Sequence, residues 1–383
     1  MLGSPQPTRL RAGGMRRDAA SIARGKGEGS VRIAFIANPE APGGWYRGIG
    51  PMLALGERGH DIQQVWRPRE GIRGELVGDC DVLHVYRAHE DEVVQIARNA
   101  KRRGIAVVYD NDDDMRAVPR DNVNHRDYGG FAGDRALRQI RRLLQLSDLA
   151  IAASPAIAER FREYGAEHVQ LIENYVPDAA LRVSARSNGS QVVAGWLAGN
   201  EHHLDIDRLP LREQWGRALD ANPALVIETI GLSLRLRHER YRYVRHVDFF
   251  DLPPQLAQHD IGLAPIADIP FNRARSNIKV KEYAALGRPW LASPVGPYAL
   301  LGEREGGRLV PDEGWCEALS RLVGRPRERR KLAKRARKWG SGQSVGANAG
   351  LWETALTAAV QRAGGTPRPV GRPRRMSFAR TPV

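Results

Sequence analysis

The residues best equipped for chemistry lie between 265 and 293, in PIADIPFNRARSNIKVKEYAALGRPWLAS. Four cations, Arg273, Arg275, Lys279 and Lys281, crowd the point where Ser276 offers an N-cap and Asn277, Ile278 and Lys279 begin a helix. The amino end of a helix carries partial positive charge, so these cations are unfavourable there unless an anion sits among them. A diphosphate would engage both the free backbone N–H groups and the cations. Glu282 follows Lys279 by three residues, about one turn along the same face, where it can accept hydrogen bonds from ribose or sugar hydroxyls. The pattern predicts a diphosphate site with a hydroxyl-binding carboxylate beside it.

Three further groups stand at places where strands end. The run Tyr109-Asp110-Asn111-Asp112-Asp113-Asp114 follows an apolar stretch, and clustered carboxylates need a cation, hydrogen-bond donors or a polar ligand. Asp112 and Asp113 are candidates for acceptor binding or general-base work. Asp112 with Asp114 could instead hold a divalent metal, or the acids could simply cap and solvate a turn. In VLHVYRAH, His84 is either an acceptor-facing group or a satisfied core histidine, and Arg87 at the strand end is the electropositive candidate. In PGGWYR, Gly43 and Gly44 would let backbone approach a ligand, and Arg47 would reach a phosphate. Trp45 and Tyr46 either stack on an acceptor or pack under the loop.

The elements that must position these groups alternate regularly. Short apolar runs are predicted as strands at 31–37, 61–66, 82–87, 105–110, 149–153 and 168–172, with helices between them. After a break at 176–190 a second series follows, with strands at 191–196, 225–230, 243–249, 260–266, 289–293 and 308–310 and a helix at 205–221. This rhythm predicts an α/β protein of two Rossmann-like, doubly wound parallel-sheet domains, at 31–175 and 191–340, facing across a cleft. In such sheets the ligand crevice lies at the carboxyl ends of the strands. A last helix, 343–362, is expected to pack back on the first domain.

The 265–293 block resembles the donor-binding signature of the "group one" (family four-like) GT-B glycosyltransferases, S-x-x-K-x-x-E-x-x-A-x-G-x-P. Ser276, Lys279, Glu282, Ala285, Gly287 and Pro289 fall at its positions. GWLAGNEHHLDIDRL (195–209) is similar to the family's second-domain opening, with Gly199 and either His202 with Asp205 or His203 as equivalents. LIENYVPD (171–178) stands where the family has its interdomain linker motif. The resemblance implies the GT-B fold and transfer of a sugar from a UDP- or GDP-type donor to a hydroxyl acceptor, with retention and without a metal. It also implies that Glu282 binds the donor ribose while Arg275 and Lys279 bind the phosphates. One departure stands out: the acid expected eight residues before the donor glutamate is Ala274. That departure leaves open a non-catalytic nucleotide-sugar-binding protein of the same fold.

Charge adds a possible partner. The formal net charge is +15. It is concentrated in residues 1–30, in 363–383 and in RPRERRKLAKRARK (325–338), and the remainder is slightly acidic. The two ends read as disordered basic tails. VGRPRRM (370–376) resembles an AT-hook core, which would make modified DNA a possible acceptor, and the basic helix could meet a polyanion or an anionic membrane surface. With two cysteines and no long apolar run, a cytoplasmic protein is expected.

Overall fold

The computed structural model describes residues 29–67, 71–122, 125, 131–184 and 188–366. The two basic tails, apart from residues 29–30 and 363–366, and the Gly-Arg-Pro motif lie outside them. The first series of elements gives β1 (Arg32–Ile36), β2 (Asp61–Gln64), a small antiparallel pair of β3 (Trp66–Arg67) and β4 (Gly71–Ile72), then β5 (Val82–Tyr86), β6 (Ala106–Asn111), β7 (Leu149–Ala152) and β8 (Val169–Leu171). Six of them form one wholly parallel sheet in the order β2-β1-β5-β6-β7-β8. The second series gives β9 (Val192–Leu197), β10 (Leu225–Ile230), β11 (Tyr241–Val244), β12 (Ile261–Ala264), β13 (Trp290–Ala292) and β14 (Gly307–Leu309). These make a second parallel sheet, ordered β11-β10-β9-β12-β13-β14.

Burial explains why the apolar runs were legible. Every residue of β5, β6, β9, β10, β12 and β13 is buried, as helices covering both faces of a parallel sheet require. The edge strands β2, β8, β11 and β14 are only partly buried, and β11 stops at Val244, short of the predicted 249, opposite Ile230 where its neighbour β10 ends. The helix predicted over 205–221 is two helices, His203–Arg208 and Leu211–Ala221, separated at Pro210, which has no N–H to continue the ladder.

The chain crosses between the sheets twice. The segment after β8 carries Val176, which pairs with Ser344, while Asp178 accepts a 2.7 Å hydrogen bond from the Ser344 hydroxyl. Ser344 in turn caps the helix Val345–Arg362 through the Ala347 N–H. That helix buries Val345, Ala349, Trp352 and Leu356 against Val31, Phe35, Val82 and Ile151 of the first sheet. The first sheet is thus completed by the last helix, and the two crossings lie side by side.

Candidate active site

The site forms where the carboxyl ends of the two sheets face each other. β12 leads through a loop and a short helix, Pro270–Ala274, into the helix Ile278–Ala285. Asn277, not Ser276, is the N-cap residue, and no side chain caps the helix. The Ser276 hydroxyl instead accepts a 3.0 Å hydrogen bond from the Asn174 amide. The four cations also separate. Arg273 turns outward to a two-point pair with Asp268 at 2.5 and 2.9 Å. Lys281 is fully buried, donating to Glu173 at 2.7 Å and to the Asn174 carbonyl at 2.8 Å. Arg275 and Lys279 remain at the helix entrance, each with a side chain 19% exposed.

Arg275 and Lys279 each meet one carboxylate. Arg275 donates to Glu201 at 2.8 Å and lies 3.4 Å from His202 Nε2. Burial lowers its pKa, but Glu201 and Asp113 raise it further, so the guanidinium stays charged. Burial likewise pushes the Glu201 carboxyl up, and Arg275, His202 and Lys279 together hold it below the usual range. His202 is fixed from behind by Asp205, at 2.6 Å, which also accepts from the Ala267 N–H and the Asn272 amide, both at 2.8 Å. Gly199 lies in the turn two residues before Glu201. Lys279 Nζ stands 3.7 Å from Glu282 Oε2, an oxygen that is buried and accepts no hydrogen bond. The other oxygen, Oε1, accepts from the Tyr46 hydroxyl of the opposite half of the molecule. Beside this pair, Tyr46, Phe249, Leu252, Leu256, Glu282 and Leu286 line a small, mainly apolar pocket of about 20 Å³.

Across the cleft, β5 ends at Tyr86 and Arg87 takes a left-handed backbone conformation, φ 58°. Left-handed geometry at a non-glycine residue is a local strain of the kind found at ligand sites. It aims the guanidinium at Asp112, 2.7 Å away, and at Asp113. Asp112 also accepts from the Tyr86 hydroxyl at 2.7 Å and the Asn174 amide at 3.0 Å. Burial pushes the Asp112 carboxyl up, but Arg87, Arg47 and these donors outweigh it, bringing it down to about 2. Asp113 moves the other way, raised by burial and then by Asp112 against the pull of Arg87. Arg87, Asp113, Arg275 and Glu201 thereby alternate in charge across the cleft.

Several candidates lie elsewhere. Arg47 is fully buried, bound to Asp110 at 2.5 Å, the Ile172 carbonyl at 2.7 Å and Asn174 at 2.8 Å, so it cannot reach a phosphate. His84 is fully buried too, its Nε2 3.2 Å from the same Asp110, beneath the cleft and not at an acceptor. Gly43 and Gly44 are needed for packing: a Cβ would come within 2.2 Å of the Tyr86 hydroxyl and 1.9 Å of the Asn38 carbonyl. They open a π-helical segment, Gly44–Ile49, and not an extended ligand loop. Asp114 accepts from the Arg116 N–H at 3.1 Å and pairs with Arg160 at 3.2 Å, turned from Asp112. Among the described residues no three His, Cys, Asp or Glu side chains gather as a metal group. Glu201 and Asn174 were not among the expected site residues, although they lie inside GWLAGNEHHLDIDRL and LIENYVPD respectively.

No protein-family model matches the chain, and no curated protein does. Solved structures do. Sucrose-phosphate synthase from Thermosynechococcus elongatus superposes with a TM-score of 0.58 at 16% identity, covering 86% of this chain and 99% of that one. The two-sheet arrangement is theirs. The fold is GT-B. A second GT-B match, α,α-trehalose 6-phosphate synthase from Burkholderia multivorans, gives 0.57 at 14% identity over 88% of this chain and 99% of its own. Anabaena HepE in complex with UDP-glucose gives 0.55 at 15% identity, over 87% and 98%. Such identities carry the GT-B fold; the site rests on the residues themselves.

Proposed function

We propose that this protein is a glycosyltransferase that takes a sugar from a uridine-diphosphate sugar and gives it to a hydroxyl-bearing acceptor. The observation that carries this reading is the convergence of Arg275, Lys279 and Glu282 at one helix entrance, at the carboxyl edge of the second sheet and opposite Arg87. Arg275 and Lys279 would neutralise the diphosphate as it leaves, assisted by the free N–H groups of the uncapped helix. Glu282, with one oxygen lacking a hydrogen-bond partner, would take the ribose hydroxyls. UDP is preferred over GDP because HepE, which shares the fold, holds UDP-glucose.

Transfer with retention and without a metal completes the proposal. Two cations already stand where a metal would otherwise balance the diphosphate. Asp113, its pKa raised, is the group on the acceptor side placed to take a proton. Incubating the protein with a panel of UDP-sugars should release UDP, and Lys279→Ala with Glu282→Gln should abolish donor binding. Turnover by that double variant at the native rate would overturn the assignment.

A second reading is favoured by one observation. Ala274 is buried against the first sheet's core, its carbonyl accepting a 2.6 Å hydrogen bond from Ser154, so no acid faces the sugar there. A donor-binding protein without transfer would show tight UDP-sugar binding and no UDP release with any acceptor.

A further inference from the structure

The helix Pro326–Gly340 carries its charge in an organised way. Arg327, Arg330, Lys331, Lys334 and Lys338 follow one another at spacings of three, one, three and four, which places all five on one face within about 100° of arc. All five are exposed, and among the described residues none has an acidic partner within ion-pair distance. The helix has one acid, Glu328, and it is already held by Arg308 at 2.7 Å, Arg321 at 3.0 Å and Arg325 at 3.7 Å. The opposite face is the packed one, burying Leu332, Ala336 and Gly340. Gly340 lies so close to Ala284 that a Cβ would come within 2.3 Å of its carbonyl carbon, and Arg337 donates to the Ala285 carbonyl at 3.0 Å. The basic row therefore points straight away from the helix that carries Lys279 and Glu282.

We infer that this outward face docks on an anionic lipid bilayer. Five like charges in a straight row about 16 Å long repel one another, and no acid among the described residues pairs with them. No aromatic side chain stands among the five, so the row offers no ring on which a nucleic-acid base could stack. Diffuse attraction to anionic headgroups needs only the charges. An apolar contact is at hand: Leu300 is 97% exposed, three residues before Glu303, which pairs with Arg335 of this helix. Docked this way, the second sheet would be held at the membrane with its cleft turned from the contact face. The inference stands apart from the proposed reaction and holds whether or not a sugar is transferred.

Sedimentation of the full chain with phosphatidylcholine vesicles, with and without phosphatidylglycerol, tests it. Binding is expected only with the anionic lipid and should fall steeply as salt rises. Each cation near such a surface contributes roughly fivefold in partition, so Arg330→Gln, Lys331→Gln and Lys334→Gln together should cost about a hundredfold. Thermal melting at the wild-type temperature would show that this exposed-site variant is folded. Leu300→Ser should weaken binding while leaving its salt dependence unchanged. Binding by the triple variant equal to the wild type would assign the contact to the basic tails and overturn the inference. So would absence of binding by the wild type, or preference for duplex DNA over anionic vesicles at equal salt.

Discussion

Replacing Tyr46 by Phe removes one oxygen from the centre of the cleft. Tyr46 is 5% exposed, and its hydroxyl donates to Glu282 Oε1 from the opposite half of the molecule. Burial, and then the Glu282 charge, raise the phenol's pKa, so it remains a donor at neutral pH. If Glu282 grips the ribose diol with both oxygens, one hydroxyl takes the vacant Oε2 and the other competes with Tyr46 for Oε1. A hydrogen bond to a charged group contributes about 1.5–3 kcal/mol. Tyr46→Phe withdraws that stabilisation from the ligand-free protein and not from the complex. It should therefore lower the melting temperature and at the same time tighten UDP binding roughly ten- to hundredfold. The ring itself stays, and with it the edge contact to Phe249 at 5.3 Å. Titration calorimetry with UDP reads the affinity, and the 2′,3′-dideoxy nucleotide, lacking the competing hydroxyls, should show no gain. Weaker UDP binding by Tyr46→Phe would refute the reasoning, because Tyr46 would then be a ligand contact and not a competitor.

Other outcomes follow from the same geometry. Arg275→Ala and Lys279→Ala should each weaken UDP far more than uridine in the same calorimetric titration, since both act on the diphosphate. Arg47→Met leaves Asp110 buried without its main counter-charge, so denaturant titration should show a loss of about 3–5 kcal/mol, with UDP affinity of the folded fraction little changed. Asp112 has a pKa depressed from 3.8 to about 2, so its contribution is complete above pH 3.8 and disappears as pH falls toward 2. Asp112→Asn should remove up to about 2 kcal/mol at pH 7 and flatten the acid limb of the stability profile, read by melting temperature against pH.

What the sequence disclosed and what it hid follow one physical division. A strand covered on both faces must be apolar throughout, so β5, β6, β9 and β10 could be placed from their residues to within a position or so. The Lys279–Glu282 spacing is local to one helix, and its consequence, the 3.7 Å pair, is local too. Direction across a strand is harder. His84 shares the β5 face of Val82 and Tyr86, which turns toward the last helix, and only the fold shows that this face is covered there. Arg47 was misplaced for a related reason: the partners that bury it, Asp110 and Asn174, stand 63 and 127 residues away. Asn174 joins the same class. Its one amide group ties Arg47, Asp112 and Ser276, so the crossing segment, the acid turn of the first sheet and the entrance of the Lys279 helix meet on a single side chain. Of these bonds only the one to Ser276 reaches the second half of the molecule, so motion of one sheet relative to the other acts on that bond.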